Sequence, residues 1–170
     1  ASDVFDLMVS AHEGRMQGIN NYTVVSDAFT AHYRRAGGDR FEVGAEVSNV
    51  RMGNMTSGFG TEDPRTLREL YSGGAELTGT ADMSGAPVFV LELTPPPGGD
   101  AQGMTLFVDQ ELLVVRGIDV ESGQPGQGLE IRFEDFRETE GLLNPWLSRV
   151  TVLGAGMSPA ELAEANTALA

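Results

Sequence analysis

The stretch LEIRFEDFRETEGLLNPWLSRVTVL, residues 129–153, decides the fold because it holds two alternating runs joined by a segment rich in turn-forming residues. Leu129, Ile131 and Phe133 alternate with charged residues, which is typical of a strand with one buried and one wet face. Val150 and Val152 alternate in the same way near the other end. The pattern predicts an antiparallel hairpin that buries one of its faces.

Two residues depart from simple alternation. Pro145, which follows Gly141 and Asn144, predicts a turn between the two runs because proline lacks the N–H that a strand interior needs. Arg116 shares the parity of the apolar residues on its own predicted strand. Either a β-bulge turns Arg116 outward, or its side chain points toward the buried face.

The composition limits both the domain count and the class of partner. A length of 170 residues suits one domain over 1–170, and a formal charge of −14 opposes binding to nucleic acid or to anionic lipid headgroups. The chain has no cysteine, which excludes disulfides and thiolate metal sites. No apolar run approaches the ~18 residues of a membrane span. The start at Ala1, without an initiator methionine, is typical of an exported protein whose targeting segment has been removed.

The remaining pattern predicts an α+β protein that is mainly antiparallel β. Helices are predicted over residues 4–16, with Ser2 or Asp3 as the cap, over 64–72 and over 158–169. Strands are predicted over residues 22–33, 41–47, 77–83, 88–94, 104–109 and 112–120. The segment at 84–87 predicts a turn.

The segment MGNMTSGFG, residues 52–60, has no periodicity and predicts a loop. Its Met52, Met55 and Phe59 can either fill an irregular gap in the core or form the rim of an adaptable apolar pocket.

Residues able to carry catalysis are scarce. His12 and His32 lie on different predicted elements without zinc-site spacing, and no nucleophile elbow or phosphate loop is present. Glu134, Asp135 and the acidic residues at 138–140 could act as paired carboxylates in hydrolysis, although a solvated strand edge also explains them. We therefore predict no catalytic residue, no metal site and no cofactor.

Three short motifs of residues 75–153 resemble those of a known family. Leu106-Phe107-Val108-Asp109 resembles the end of one family strand, and Arg116 resembles an arginine on the next. Asp135-Phe136-Arg137 with Gly141-Leu142 and Pro145 resembles a third motif. Together they resemble the second half of the LolA-like outer-membrane lipoprotein carrier family. The resemblance implies a curved, incomplete antiparallel barrel with helices on its concave side, which encloses an apolar cavity for acyl chains.

The residues lead toward the same kind of cavity. The apolar strand faces exceed what three short helices are expected to cover, and seven methionines suit a surface that repacks around different guests. By strand parity, the predicted cavity lining consists of Phe89, Leu91, Leu93, Met104, Leu106, Val108, Ile131 and Phe133. Met52, Met55 and Phe59 are the predicted rim.

The function predicted from these observations is a periplasmic or exported carrier that binds lipid or lipoprotein acyl chains without catalysis. The main alternative is an interaction or envelope-stress sensing module of the same fold, with a filled core, an envelope protein as partner and no lipid ligand. An enzyme is the third hypothesis.

Overall fold

The protein is represented by a computed structural model that describes residues 1–25, 29–37, 40–47, 64–71, 73–94, 101–123, 126–139 and 141–154. Within these segments the helices are α1 Ser2–Met16 and α2 Pro64–Tyr71. The strands are β1 Asn21–Val25, β2 Phe29–Gly37, β3 Arg40–Val47, β4 Ala75–Met83, β5 Ala86–Leu93, β6 Ala101–Asp109, β7 Val115–Ser122, β8 Gly128–Thr139 and β9 Leu142–Leu153. The helix predicted over 158–169 and the loop predicted over 52–60 lie outside the described residues.

The strands form two antiparallel sheets. One sheet has the order β1-β2-β3, and the other runs β4-β5-β6-β7-β8-β9 as a meander in which each strand pairs with the next along the chain. Within the described strands, β4 and β9 each have one neighbour, so the six-stranded sheet is open. Both helices contribute to the core on one side of it. The predicted α+β class, mainly antiparallel with an unclosed sheet, is confirmed.

The hairpin at 129–153 forms, but its turn is shorter than predicted. The β8–β9 register runs from the Gly128–Leu153 pair to the Thr139–Leu142 pair, and Pro145 lies inside β9 opposite Phe136. The prediction of a turn at Pro145 was wrong because β9 is an edge strand of the described sheet. An edge strand hydrogen-bonds on one side only and can therefore accommodate a proline.

Other strand predictions also needed correction, and β4 and β6 begin at Ala75 and Ala101, earlier than predicted. Residues 22–33 were predicted as one strand, whereas the structure has two antiparallel strands, with Val25 of β1 paired to Thr30 of β2. Both strands are rich in β-branched and aromatic residues, so composition alone does not separate them.

Strand β7 begins at Val115 rather than at residue 112. Leu113 has a positive φ of 53°, and the Asp109 N–H donates to the Val114 carbonyl at 2.9 Å, so these residues form the turn after β6. The apolar run Leu112 to Val115 hides this turn, because its left-handed residue is a leucine and not the glycine that usually marks one.

The turn between β4 and β5 is tighter than the predicted 84–87. Ser84 and Gly85 both have positive φ, at 55° and 85°, which matches the two-residue hairpin turn that suits the twist of antiparallel strands. The Gly85 N–H donates to the Asp82 carboxylate at 2.9 Å. Strand β5 therefore begins at Ala86, earlier than predicted.

Helix α1 begins without the predicted side-chain cap. Its N-cap is Ala1, whose carbonyl accepts the N–H groups of Val4 and Phe5 at 3.0 and 3.2 Å. Asp3 lies in the first turn, where its negative charge favours the positive end of the helix dipole. Helix α2 ends as predicted near the glycine pair, with the Gly74 N–H donating to the Tyr71 carbonyl at 3.0 Å.

Candidate functional site

The register of the six-stranded sheet brings the eight predicted lining residues onto one face. Leu91 lies opposite Leu106, Phe89 opposite Val108, and Leu93 opposite Met104 across β5 and β6, while Ile131 and Phe133 come from β8. Six of the eight are buried members of the hydrophobic core, and Phe89 and Met104 are partly buried and pack against it. Because residues directly opposite in an antiparallel pair share a face, this grouping follows from strand pairing.

The two helices cover this face. Val4, Phe5 and Met8 of α1 and Leu67 and Tyr71 of α2 belong to the same core as the strand residues. Leu91 and Val108 have 0% of their surface exposed, so the helices cover the face more completely than the sequence suggests. In this structure the eight side chains therefore form packed core, and we refer to α1 and α2 together as the helical cover.

Polar contacts link the two helices of the cover to each other and to the sheet. Arg68 of α2 pairs with Asp6 of α1 at 3.0 Å, and the Tyr71 hydroxyl lies 3.6 Å from the Met104 sulfur. At the end of α1, the Arg15 guanidinium donates to the carbonyl of Leu112 in the turn after β6. Apolar packing, which is not directional, also joins the cover to the sheet through the shared hydrophobic core.

A small cavity of about 90 Å³ lies at the C-terminal end of α1. Its apolar wall includes Met8, Met16, Leu67, Val115, Ile118 and Leu143, and its polar wall includes His12, Arg15, Tyr22 and Asn144. Pockets for drug-sized ligands enclose roughly 300–1,000 Å³, so this cavity can hold part of such a ligand.

None of the eight predicted lining residues forms the cavity wall. The wall is built instead from α1, α2 and Ile118 of β7, together with the turn after β6 and the start of β9. The adjacent leucines Leu112-Leu113 and Leu142-Leu143 were a sequence signal for this apolar site. Two adjacent leucines cannot both lie on one face of a regular strand, so each pair marks a departure from simple alternation. Leu113, Leu142 and Leu143 all line the cavity.

Arg15 is the charged residue of the cavity wall, and no acidic side chain belongs to the described residues that form it. Burial lowers the pKa of Arg15 by removing water from its guanidinium, and the negative charge of Glu138 acts in the opposite direction. An arginine remains protonated at any physiological pH, so the cavity carries a positive charge in a strongly acidic chain.

Of the two alternatives for Arg116, the structure contains the β-bulge, but the side chain does not turn outward. Phe107 pairs with Gly117 and Val108 with Val115, which leaves Arg116 as the extra residue of β7. Its Nε donates to the Asp109 carboxylate at 2.5 Å, and its guanidinium lies 5.3 Å from the ring centre of Phe136. The bulge thus turns Arg116 toward a buried partner on the preceding strand.

Asp109 is 2% exposed and holds the turn after β6. Burial acts to raise the pKa of this carboxylate, but the N–H of Leu112, the Arg116 guanidinium and the N–H of Glu111 together hold its pKa below the usual value. The two amides donate at 2.7 and 2.8 Å. A carboxylate with this many donors stays ionised and serves structure, whereas a general acid needs a raised pKa.

Two of the other carboxylates considered for catalysis are paired at the surface. Glu134 lies 3.3 Å from Arg149, and Asp135 accepts hydrogen bonds from Arg137, which lowers the pKa of Asp135. Asp135 and Glu138 are exposed, and Glu140 lies outside the described residues. These contacts match the expected solvated strand edge.

The two histidines lie apart. His12 lines the cavity, and exposed His32 on β2 contacts the Thr23 hydroxyl at 3.1 Å through Nδ1. Among the described residues, no three histidine or acidic side chains lie together as a metal site. Neither described helix has the length and the apolar character that a membrane-crossing helix needs. The predicted rim residues Met52, Met55 and Phe59 lie outside the described residues.

Comparison with known proteins finds similarity in structure. No protein-family model matches the chain, and no curated protein matches its sequence. Its fold is similar to that of a Vibrio parahaemolyticus domain provisionally described as an outer membrane lipoprotein-sorting protein, with a TM-score of 0.45 and 13% identity. The match covers 81% of this chain and 69% of that domain. At 13% identity this likeness concerns the fold alone, and it agrees with the fold that the resemblance of residues 75–153 implies.

Proposed function

We propose that this chain is a non-catalytic carrier that binds acyl chains of lipids or lipoproteins between the helical cover and the six-stranded sheet, in the periplasm or another exported compartment. The observation that carries the proposal is the continuous apolar face formed by β5, β6, β7 and β8 under two short helices. The motif resemblance of residues 75–153 to LolA-like carriers supports the same function.

Binding at this face requires the helical cover to move. The side chains of Phe5 and Met8 occupy the space that a guest would fill, so an acyl chain would replace their contacts with similar apolar contacts of its own. Burial of ten methylenes would contribute about 8 kcal/mol at ~0.8 kcal/mol each, before the loss of chain and cover entropy. Because a Kd of 1 μM corresponds to about 8 kcal/mol, this gain before the losses sets the upper limit of the affinity for such a chain near the micromolar range.

The tight packing of the face favours a second candidate function. With Leu91 and Val108 fully buried and a cavity of about 90 Å³, the same fold can serve as a protein-interaction or envelope-stress sensing module whose core is filled by its own side chains. In that case an envelope protein, and not a lipid, would be the partner.

Lipid analysis separates the two candidates. Protein purified without detergent is extracted and analysed by mass spectrometry, and a fluorescent acyl probe is titrated into the delipidated protein. The carrier proposal expects co-purifying lipid or saturable probe binding in the micromolar range. The absence of both would reject the carrier and leave the filled-core module.

Substitutions at the proposed rim test where the guest enters. Met55→Glu and Phe59→Glu are expected to weaken probe binding because a charge at an apolar entrance opposes passage of an acyl chain. Leu77→Glu is the matched control, since Leu77 is 42% exposed on edge strand β4 and is not part of the core. If all three variants bind the probe as the unchanged protein does, these rim residues have no role in entry.

A further inference from the structure

The cavity at the end of α1 combines an apolar wall with one positive charge. The chain has 25 acidic and 11 basic residues, so a cavity lined by described residues that include an arginine and no acid departs from the general charge of the surface. Such a wall disfavours a cationic guest and favours an anionic group attached to an apolar one.

Arg15 is held in place by the fold. Its guanidinium donates to the Leu112 carbonyl, which anchors it between α1 and the turn after β6. A guanidinium has five N–H donors in a planar fork, and this contact with a single carbonyl leaves it able to bind a carboxylate as well. The anchored position lowers the entropy lost when an anion binds.

The cavity also adjoins the proposed acyl-binding face. Met8, Leu67 and Ile118 line the cavity and belong to the hydrophobic core. With about 90 Å³, the cavity has space for a small head group and the first carbons of a chain, and the rest of the chain would continue under the helical cover. The shape and charge therefore fit an amphiphile with one acidic head.

We infer that this cavity binds the carboxylate head of a single-chain amphiphile, with Arg15 as its counter-ion and with the tail directed toward Met8, Leu67 and Ile118. The inference rests on the proposed carrier function and adds the chemical class and the orientation of the guest. Glu138, whose negative charge acts on Arg15, would compete with the bound carboxylate and limit its affinity.

The test compares two probes that differ only in head-group charge. Dodecanoate and methyl dodecanoate are titrated by calorimetry at pH 8, below their aggregation concentrations, into the unchanged protein and into Arg15→Gln, Arg15→Lys and Glu138→Gln. Arg68→Gln is the matched control because Arg68 pairs with Asp6 on the cover and does not line the cavity.

The inference expects Arg15→Gln to weaken dodecanoate binding about tenfold or more and methyl dodecanoate binding much less, since only dodecanoate loses a hydrogen bond to a charged group. Arg15→Lys should restore part of the difference, and Arg68→Gln should have no effect. Glu138→Gln, an exposed substitution that leaves the core intact, should strengthen dodecanoate binding alone.

Each contrary result has a distinct meaning. The head-group site would be overturned if the unchanged protein bound both probes with equal affinity. It would also be overturned if Glu138→Gln and Arg15→Gln kept the preference of the unchanged protein for dodecanoate. Either result would leave the carrier proposal standing. Binding of neither probe would overturn both. If Arg15→Gln does not fold, as judged by circular dichroism, the Glu138→Gln and Arg15→Lys results decide the question.

Discussion

Arg116 and Asp109 form an ion pair beneath the turn that joins β6 to β7, with Arg116 Nε 2.5 Å from Asp109 Oδ2. The pair exists because a β-bulge at Arg116 swings its side chain back toward the preceding strand. The same turn supplies Leu113 and Val114 to the cavity wall and the Leu112 carbonyl to Arg15. A structural ion pair thus positions one side of the proposed binding cavity.

Removal of the Asp109 charge should destabilise the fold. Asp109→Asn leaves Arg116 without its carboxylate partner, and we expect a loss of about 3 kcal/mol in the free energy of unfolding, the lower end of the range for buried pairs because Arg116 keeps some exposure. Urea unfolding measures this loss. The exposed Asp6→Asn is the control and should cost no more than about 1 kcal/mol. Equal effects of the two substitutions would contradict the structural role of Asp109.

The same pair should make stability depend on acid. Because the pKa of folded Asp109 lies below its usual value, its contribution is fully present above the unfolded pKa of about 3.9 and is lost as the pH falls through the folded value. The stability gap between the unchanged protein and Asp109→Asn should therefore be constant above about pH 5 and shrink below about pH 4. Urea unfolding from pH 7 to pH 3 tests this, and a gap that widens in acid would refute it.

Any side chain at position 128 should destabilise the fold. A Cβ added there would overlap the carbonyl oxygen of Val120, and a backbone atom held in the sheet cannot move aside easily. Gly128→Ala should destabilise by about 1–3 kcal/mol, as overpacking does. Gly79→Ala, at a position with nothing within 4 Å, should be neutral or stabilise by up to about 1 kcal/mol. Thermal melting of both variants measures the difference. Equal melting temperatures would contradict the close approach of Gly128 to the Val120 carbonyl.

A smaller side chain in the core should lower the stability of the fold without lowering its affinity for an acyl chain. Leu91→Ala, at a fully buried position under the helical cover, should cost about 2–5 kcal/mol because it leaves a cavity. If the cover moves to admit acyl chains, folded Leu91→Ala protein should bind the fluorescent probe at least as tightly as the unchanged protein, because the substitution enlarges the space under the cover. Loss of probe binding in a folded Leu91→Ala protein would indicate that the guest does not reach β5.

The single tryptophan offers an optical reporter. Trp146 on β9 is 64% exposed, and the Arg137 guanidinium lies 4.6 Å from its ring centre. Its fluorescence should be readily quenched by acrylamide, and Arg137→Ala should increase the quenching because it uncovers one side of the ring. Free N-acetyl-tryptophanamide gives the upper limit. Weak quenching in the unchanged protein would mean that Trp146 is covered in solution.

Local periodicity was sufficient for much of the fold. The alternation around Ile131 and Phe133 correctly assigned both residues to the buried face, and it did the same for Leu91 and Leu106. These predictions succeeded because side chains of a strand alternate strictly, so sequence parity fixes the face once a strand exists. The hairpin at 129–153 followed from the same alternation. The end of α2 followed from another local rule, since glycine commonly ends a helix.

Tertiary structure decided the conformation at positions where local sequence rules fail. Pro145 continues a strand because β9 happens to lie at the sheet edge, and Arg116 turns to Asp109 because a bulge shifts the register by one residue. The cavity depends on the meeting of α1, the turn after β6 and the start of β9, which are far apart along the chain. Sequence alone determined which faces are apolar, whereas long-range packing determined that the helices fill the face and leave a small charged space beside Arg15.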